Sequence, residues 1–156
     1  MYPLTHFLAP FLVGLILVNF GYFTFNHALI AGLIGLLIDV DHFLYYFTIK
    51  RDFNFKNAWN SAVNHKFEER TFIHHLPGFL IFTTIIIALF FINKTWFLIL
   101  TIGYYLHMVL DYFNFKSWLR IKQKVKFNEE GFVFKIPLYE IILDLILIFL
   151  IIIFIF

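Results

Sequence analysis

Apolar residues run almost unbroken through five stretches of the chain, at about 6–25, 28–48, 72–92, 95–114 and 138–156. Each is close to the roughly 20 residues that a helix needs to cross a hydrocarbon core. The pattern predicts an all-α fold, a polytopic membrane bundle of about five spans, with residues 1–156 as a single domain. The first two stretches are separated by "FNHA" and the third and fourth by "NK", so each pair predicts an antiparallel hairpin of helices. Longer polar loops follow the second and fourth helices. In the later loop, Lys122, Lys124 and Lys126 alternate, Gly131 supplies a turn, and "FVFKI" resumes the apolar pattern. This predicts a small β-hairpin before the last helix, its lysine face available to anionic headgroups. The first run lacks a basic leader and a small-x-small cleavage site, so a retained helix is expected there.

Composition sharpens this reading. The chain is 62% hydrophobic and only 14% charged, which excludes an ordinary soluble domain. It has no cysteine, which excludes disulfides, thiolate metal ligands and thiol nucleophiles. The net charge of +2 gives no reason to expect a nucleic-acid partner. Phenylalanine dominates the aromatic content and suits lipid-facing surfaces. Every Lys and Arg except Lys94 falls in the loops after the second and fourth helices. By the positive-inside tendency both loops belong on the cytoplasmic side, and the N-terminus with them.

Against that apolar background, "LLIDVDH" stands out. Asp39, Asp41 and His42 lie inside a stretch that otherwise reads as a span, where each ionisable group costs about 2.5 kcal/mol or more. Under the predicted topology His6, Asp39, Asp41, His42, His74, His107 and Asp111 all fall at one depth, near the cytoplasmic end. His27 falls at the opposite surface and His65 in a loop. Residues three and four apart share a helix face. Ala28, Gly32, Gly35, Asp39 and His42 form one such seam, and Gly103, His107 and Asp111 another. His6 with Pro10 and Gly14, and His74 with Gly78, repeat the pattern. Small residues let membrane helices approach closely, so these seams should turn the polar groups into the bundle. Asp41 lies about 160° from Asp39 on an ideal wheel; it reaches the site only from a distorted helix end, or else faces a neighbouring groove.

Histidine and aspartate together suit zinc, and also manganese or iron. His6, Asp39, His42, His74, His107 and Asp111 are the candidate ligands, with His6 expected at the edge of the cavity. They suffice for one ion, or for two about 3.5–4 Å apart, the arrangement used in two-metal hydrolysis. The alternative is a set of buried His–Asp hydrogen bonds that only ties helices together.

The segments "THFLAP", "LLIDVDH", "RTFIHH" and "YYLHMVLDYF" resemble those of the small integral-membrane proteins described as membrane-bound metal-dependent hydrolases, one branch of which carries a LexA-binding label. The matching blocks are Thr5–His6, Asp39–Asp41–His42, Arg70–His74 and His107–Asp111. Many relatives have His before the Arg; here Glu69 takes that place, and His65 or His75 would have to substitute. The resemblance implies a metal-dependent hydrolase. In that reading Asp41 orients the attacking water or accepts its proton, and the Arg70 guanidinium forks onto a phosphate. The substrate would be a lipid phosphoester or related headgroup bond, and the cluster is similar by analogy to that of zinc-dependent phospholipase C. Glu140 and Asp144 share a face of the last helix and could complete the shell, pair with Arg70, or simply sit at the helix start, where the dipole favours Glu140. The competing readings are a metal-stabilised scaffold that binds a partner, and a small ion transporter. A transporter needs polar residues leading to the far face, and beyond the cluster the helices offer little but Asn19 and His27 there.

Overall fold

The architecture is that of a computed structural model, which describes residues 2–64, 72–112, 124–127 and 134–156. Helix α1 spans Pro3–Asn19, α2 Phe25–Leu37, α3 Val40–Lys50 and α4 Phe55–Asn64. A 3-10 turn at Phe72–His74 leads into α5, Leu76–Ile92, and α6, Lys94–Tyr112. Strands β1, Lys124–Phe127, and β2, Phe134–Pro137, precede α7, Leu138–Ile155. Helices α1 and α2 form the central hairpin; α6 packs on both, α5 on α6, and α7 on α1.

The chain reverses between α1 and α2 at Phe20–Thr24, where Gly21 has a φ of 76°. The "FNHA" segment is therefore the first turn of α2 rather than the connection. The reason is a capping box: the Thr24 amide donates to His27 Nδ1 at 3.2 Å, which fixes the start of the helix there. His27 is thus accounted for by local structure. Asn93 does the same for α6, its Oδ1 accepting the amides of Thr95 and Trp96 at 3.0 and 3.1 Å.

The expected second helix is interrupted. Ile38 and Asp39 form a turn, and the Asp39 amide donates to Leu36 O, one residue short of the α-helical acceptor. The following amides repeat this tightening, Asp41 to Ile38 O and His42 to Asp39 O, both at 3.2 Å. Helix α3 then closes at Arg51, whose φ of 52° is left-handed. The stretch read as a plain loop also holds α4. Asn54 caps it by accepting the amides of Lys56 and Asn57 at 3.0 and 3.3 Å. The Asn57 side chain in turn donates to Asp52 at 2.9 Å and, with the Asn54 amide, holds the Asp52 carboxyl below its usual range. The expected β-hairpin is present, antiparallel, with Lys124 opposite Pro137 and Phe127 opposite Phe134. Lys122 lies outside the described residues.

Among the described residues, two stretches are long and apolar enough to cross a membrane, Phe25–Lys50, which joins α2 and α3, and Leu138–Ile155. Helices α1 and α5 are apolar but have 17 residues each, or about 26 Å at the helical rise. The distribution of burial is inverted relative to a water-soluble protein. Leu80, Ile85, Ile87, Leu145 and Phe149 point outward, while Thr5, His6, Asp39, Asp41, His107 and Glu140 are buried. Such an arrangement suits a hydrocarbon solvent, which rewards no polar group on the outside.

Close backbone approach builds the central hairpin. A Cβ on Gly14 would lie 2.6 Å from Ala28 Cα, and one on Gly35 would collide with the His6 carbonyl and with Pro10. Pro10 has no amide to give the His6 carbonyl, so that oxygen is free to face α2. Gly78 is a different case. It clears the Phe72 carbonyl and makes no interhelical seam, and His74 lies in the 3-10 turn before α5 rather than in the helix.

These contacts predict that Gly35→Ala lowers stability by about 1–3 kcal/mol, the usual cost of overpacking. Leu37→Ala, at a position 60% exposed, should change it by less than about 0.5 kcal/mol. Thermal unfolding in detergent measures both. Equal midpoints for the two variants would contradict the close approach of α1 and α2.

Candidate metal centre

Three imidazoles meet between α1, the 3-10 turn and α6. Each is held at its Nδ1 by an acceptor. His6 Nδ1 lies 2.7 Å from Asp39 Oδ2, His74 Nδ1 lies 2.6 Å from Asp41 Oδ2, and His107 Nδ1 lies 2.8 Å from the Gly35 carbonyl. A carbonyl only accepts, so His107 carries its proton on Nδ1. Ionised carboxylates impose the same tautomer on His6 and His74. The Nε2 lone pairs are left to face inward.

Those inward atoms lie close together. His74 Nε2 and His107 Nε2 are 3.0 Å apart. His6 Nε2 is 3.2 Å from Asp111 Oδ1, without hydrogen-bond geometry, and His74 Nε2 is 3.6 Å from Asp111 Oδ2. Two lone pairs facing at 3.0 Å repel unless a cation or a proton lies between them. Ligand atoms bound tetrahedrally at about 2.0–2.1 Å from zinc sit roughly 3.3–3.4 Å apart, close to these separations. The anchoring of the far ring nitrogen by carboxylate or carbonyl is the usual support of a metal-ligating histidine.

The donors fall into two adjoining groups. His6, His107 and Asp111 each offer an atom within 4.8 Å of the others, as do Asp41, His42 and His74. Two carboxylates connect them. Asp111 faces His6 through one oxygen and His74 through the other. Asp39 holds His6 through Oδ2, while its Oδ1 lies 3.8 Å from His42 Nε2 and 4.0 Å from His107 Nε2. Such a set has room for one ion or two. Charge points the same way. Asp39, Asp41 and Asp111 have side chains no more than 12% exposed, and three buried carboxylates need compensation.

All six expected ligands are therefore brought together, with one departure in detail. His6 is fully buried at the centre rather than at the edge. Asp41, which an ideal wheel turns away, reaches the site from a distorted helix end and grips His74, because the tightened turn at Ile38–Asp39 rotates the start of α3. His75 caps α5 and is exposed. Arg70, Glu69 and His65 lie outside the described residues. Glu140 and Asp144 do something the spacing left open: both bind α1. The Thr5 hydroxyl lies 3.1 Å from Glu140 Oε1 and 2.8 Å from Asp144 Oδ1, and the Tyr2 amide also donates to Glu140. The Gly35 carbonyl was not identifiable as a site atom from sequence. A glycine in a seam signals close packing, but not which way its carbonyl turns.

Residues 1–120 match the family described as YdjM inner membrane protein, and the chain belongs to that family. No curated protein and no solved structure matches it. The family establishes a membrane protein, and the matched region contains all six residues of the cluster.

The geometry sets an expectation for metal affinity. His107→Ala should abolish tight binding of one zinc, and Asp41→Asn, which removes the support of His74, should weaken it about 10–100-fold. Competitive titration of detergent-purified protein with a chromophoric chelator reads both. Unchanged affinity in His107→Ala would mean that the inward Nε2 atoms bind no metal.

Proposed function

We propose that this chain is a membrane-bound, divalent-metal-dependent hydrolase acting on a phosphoester or related headgroup bond of a membrane lipid. The observation that carries the reading is the inward convergence of Nε2 atoms whose partner nitrogens are each tied to an acceptor. In this reading the chain crosses the membrane about five times. The loops 49–71 and 115–137 lie in the cytoplasm, because they hold all Lys and Arg except Lys94. The cluster then sits near the cytoplasmic headgroups, where a lipid phosphoester arrives before a soluble metabolite does.

His6, His74, His107 and Asp111 would hold the ion, with Asp39 and His42 available to a second. When bound, such an ion acts as a Lewis acid and a source of hydroxide near neutral pH. The residues of the chain supply the rest. Asp39 and Asp41 fix the orientation of His6 and His74 through the Nδ1 contacts. Asp41 Oδ1, 3.9 Å from His42 Nε2, is the oxygen not engaged with His74 and is placed to take a proton. Arg70, four residues before His74, would bind the phosphate in a bidentate fork. The low exposure of the site keeps bulk water from competing.

Phosphate release from phospholipids, lipid pyrophosphates and simple phosphoesters should be seen with zinc- or manganese-loaded protein and abolished by chelator. Arg70→Ala should retain metal and lose about 10²-fold or more in turnover. Absence of chelator-sensitive hydrolysis across all three substrate types would favour the metal-stabilised scaffold instead. Activity that survives Arg70→Ala would remove the phosphate-binding role.

Sidedness has its own test. Single cysteines at Asn60 and Asn128 should resist a membrane-impermeant label in intact cells and react after permeabilisation. Labelling of either in intact cells would place the loops, and the cluster with them, on the outer side.

A further inference from the structure

A cavity of about 250 Å³ opens between the start of α5 and the end of α6, lined by His74, Leu76, Phe79, Met108 and Tyr112. Its two ends differ. His74 and Met108 are buried, whereas Leu76 is 69% and Tyr112 60% exposed. The mouth therefore lies at Leu76 and Tyr112, and the closed end lies at a ring of the metal cluster. On either side of the mouth the exposed surface continues as Leu80 and Val109, one turn along α5 and α6. In a membrane protein that surface faces lipid.

The lining offers little to water. Among the described residues that line it, the polar groups are the His74 ring and the Tyr112 hydroxyl. The hydroxyl donates to the His74 carbonyl at 2.7 Å, and the His74 nitrogens face Asp41, His107 and Asp111. A water-filled cavity needs two to four polar partners for each molecule, and this one has apolar walls of leucine, phenylalanine and methionine. Methionine in particular adapts to flexible apolar ligands.

We infer that this cavity receives one hydrocarbon chain of a membrane lipid, entering sideways from the bilayer past Leu76 and Tyr112. The segment next to the headgroup lies against Phe79 and Met108, and the headgroup is directed to His74. This rests on the hydrolase reading for what happens to the headgroup, and it narrows the substrate to an amphiphile with a chain long enough to fill the cavity. A soluble phosphoester makes none of these contacts.

Photo-crosslinking tests the placement without turnover. The probe is a diacyl phosphatidate with a diazirine close to the carboxyl end of one chain, in phosphatidylcholine nanodiscs with the full-length protein. Label should concentrate at Leu76–Phe79 and Met108–Tyr112, several-fold above the lipid-facing Ile85, Ile87, Ile152 and Ile153. Leu76→Trp, at the exposed mouth, should bring that excess down to background, and Met108→Trp should do so from within. Uniform labelling along the helices, or an excess that both variants retain, would overturn the inference. The two readings fail separately. Missing phosphate release counts against the hydrolase while concentrated labelling still supports the cavity. Phosphate release with uniform labelling counts against the cavity alone.

Discussion

The hydrogen bond from His107 to the Gly35 carbonyl depends on a helix that stops being an α-helix at the right residue. In a continuous α2 that carbonyl would accept the amide of Asp39. Because the Asp39 amide turns to Leu36 instead, the Gly35 oxygen is released to a side chain on α6. The same tightening brings Asp39 to His6 and Asp41 to His74. One local change in hydrogen-bond register thus supplies the anchors for all three imidazoles. It is tolerable in an apolar setting because the released Gly35 carbonyl finds a new partner in His107.

Proline and glycine make the complementary arrangement on the other side. Pro10 cannot satisfy the His6 carbonyl, and Gly35 lets α2 come against that oxygen. The backbone at Gly35 is therefore held between α1 and α6. Its α-carbon faces the residue that carries one inward nitrogen, and its carbonyl fixes another. The small-residue seam does more than permit close packing: it sets the spacing of the cluster, since a bulkier α2 would move His6 away from Asp39.

Much of this was legible in the chain. The apolar runs located α1, α2 with α3, α5, α6 and α7, because helix length and hydropathy are properties of a segment on its own. The seams ending in His42, His107 and Asp111 pointed to the six residues that converge, because face and depth follow from spacing. What escaped depends on hydrogen bonds chosen in three dimensions. Asp41 could be placed in the site only on the condition of a distorted helix end, because an ideal wheel assumes a register that the turn at Ile38–Asp39 breaks. Helix α4 was missed because "FKNAWNSAVN" is short and mostly polar, and its start rests on a side-chain cap at Asn54. His74 read as a helix residue because Pro77, near the true N-terminus of α5, was passed over as a start signal.

The bonds between α1 and α7 have a bearing on the order of assembly. Thr5 meets Glu140 and Asp144 across 135 and 139 residues of sequence. A ribosome delivers α1 well before α7, so the Thr5 hydroxyl and the Tyr2 amide enter the bilayer ahead of their carboxyl partners. Until α7 arrives, the turn that carries His6 has no fixed neighbour on that side. Helix α1 is thus made well before α7 yet is locked only with it, and maturation of the centre waits for α7.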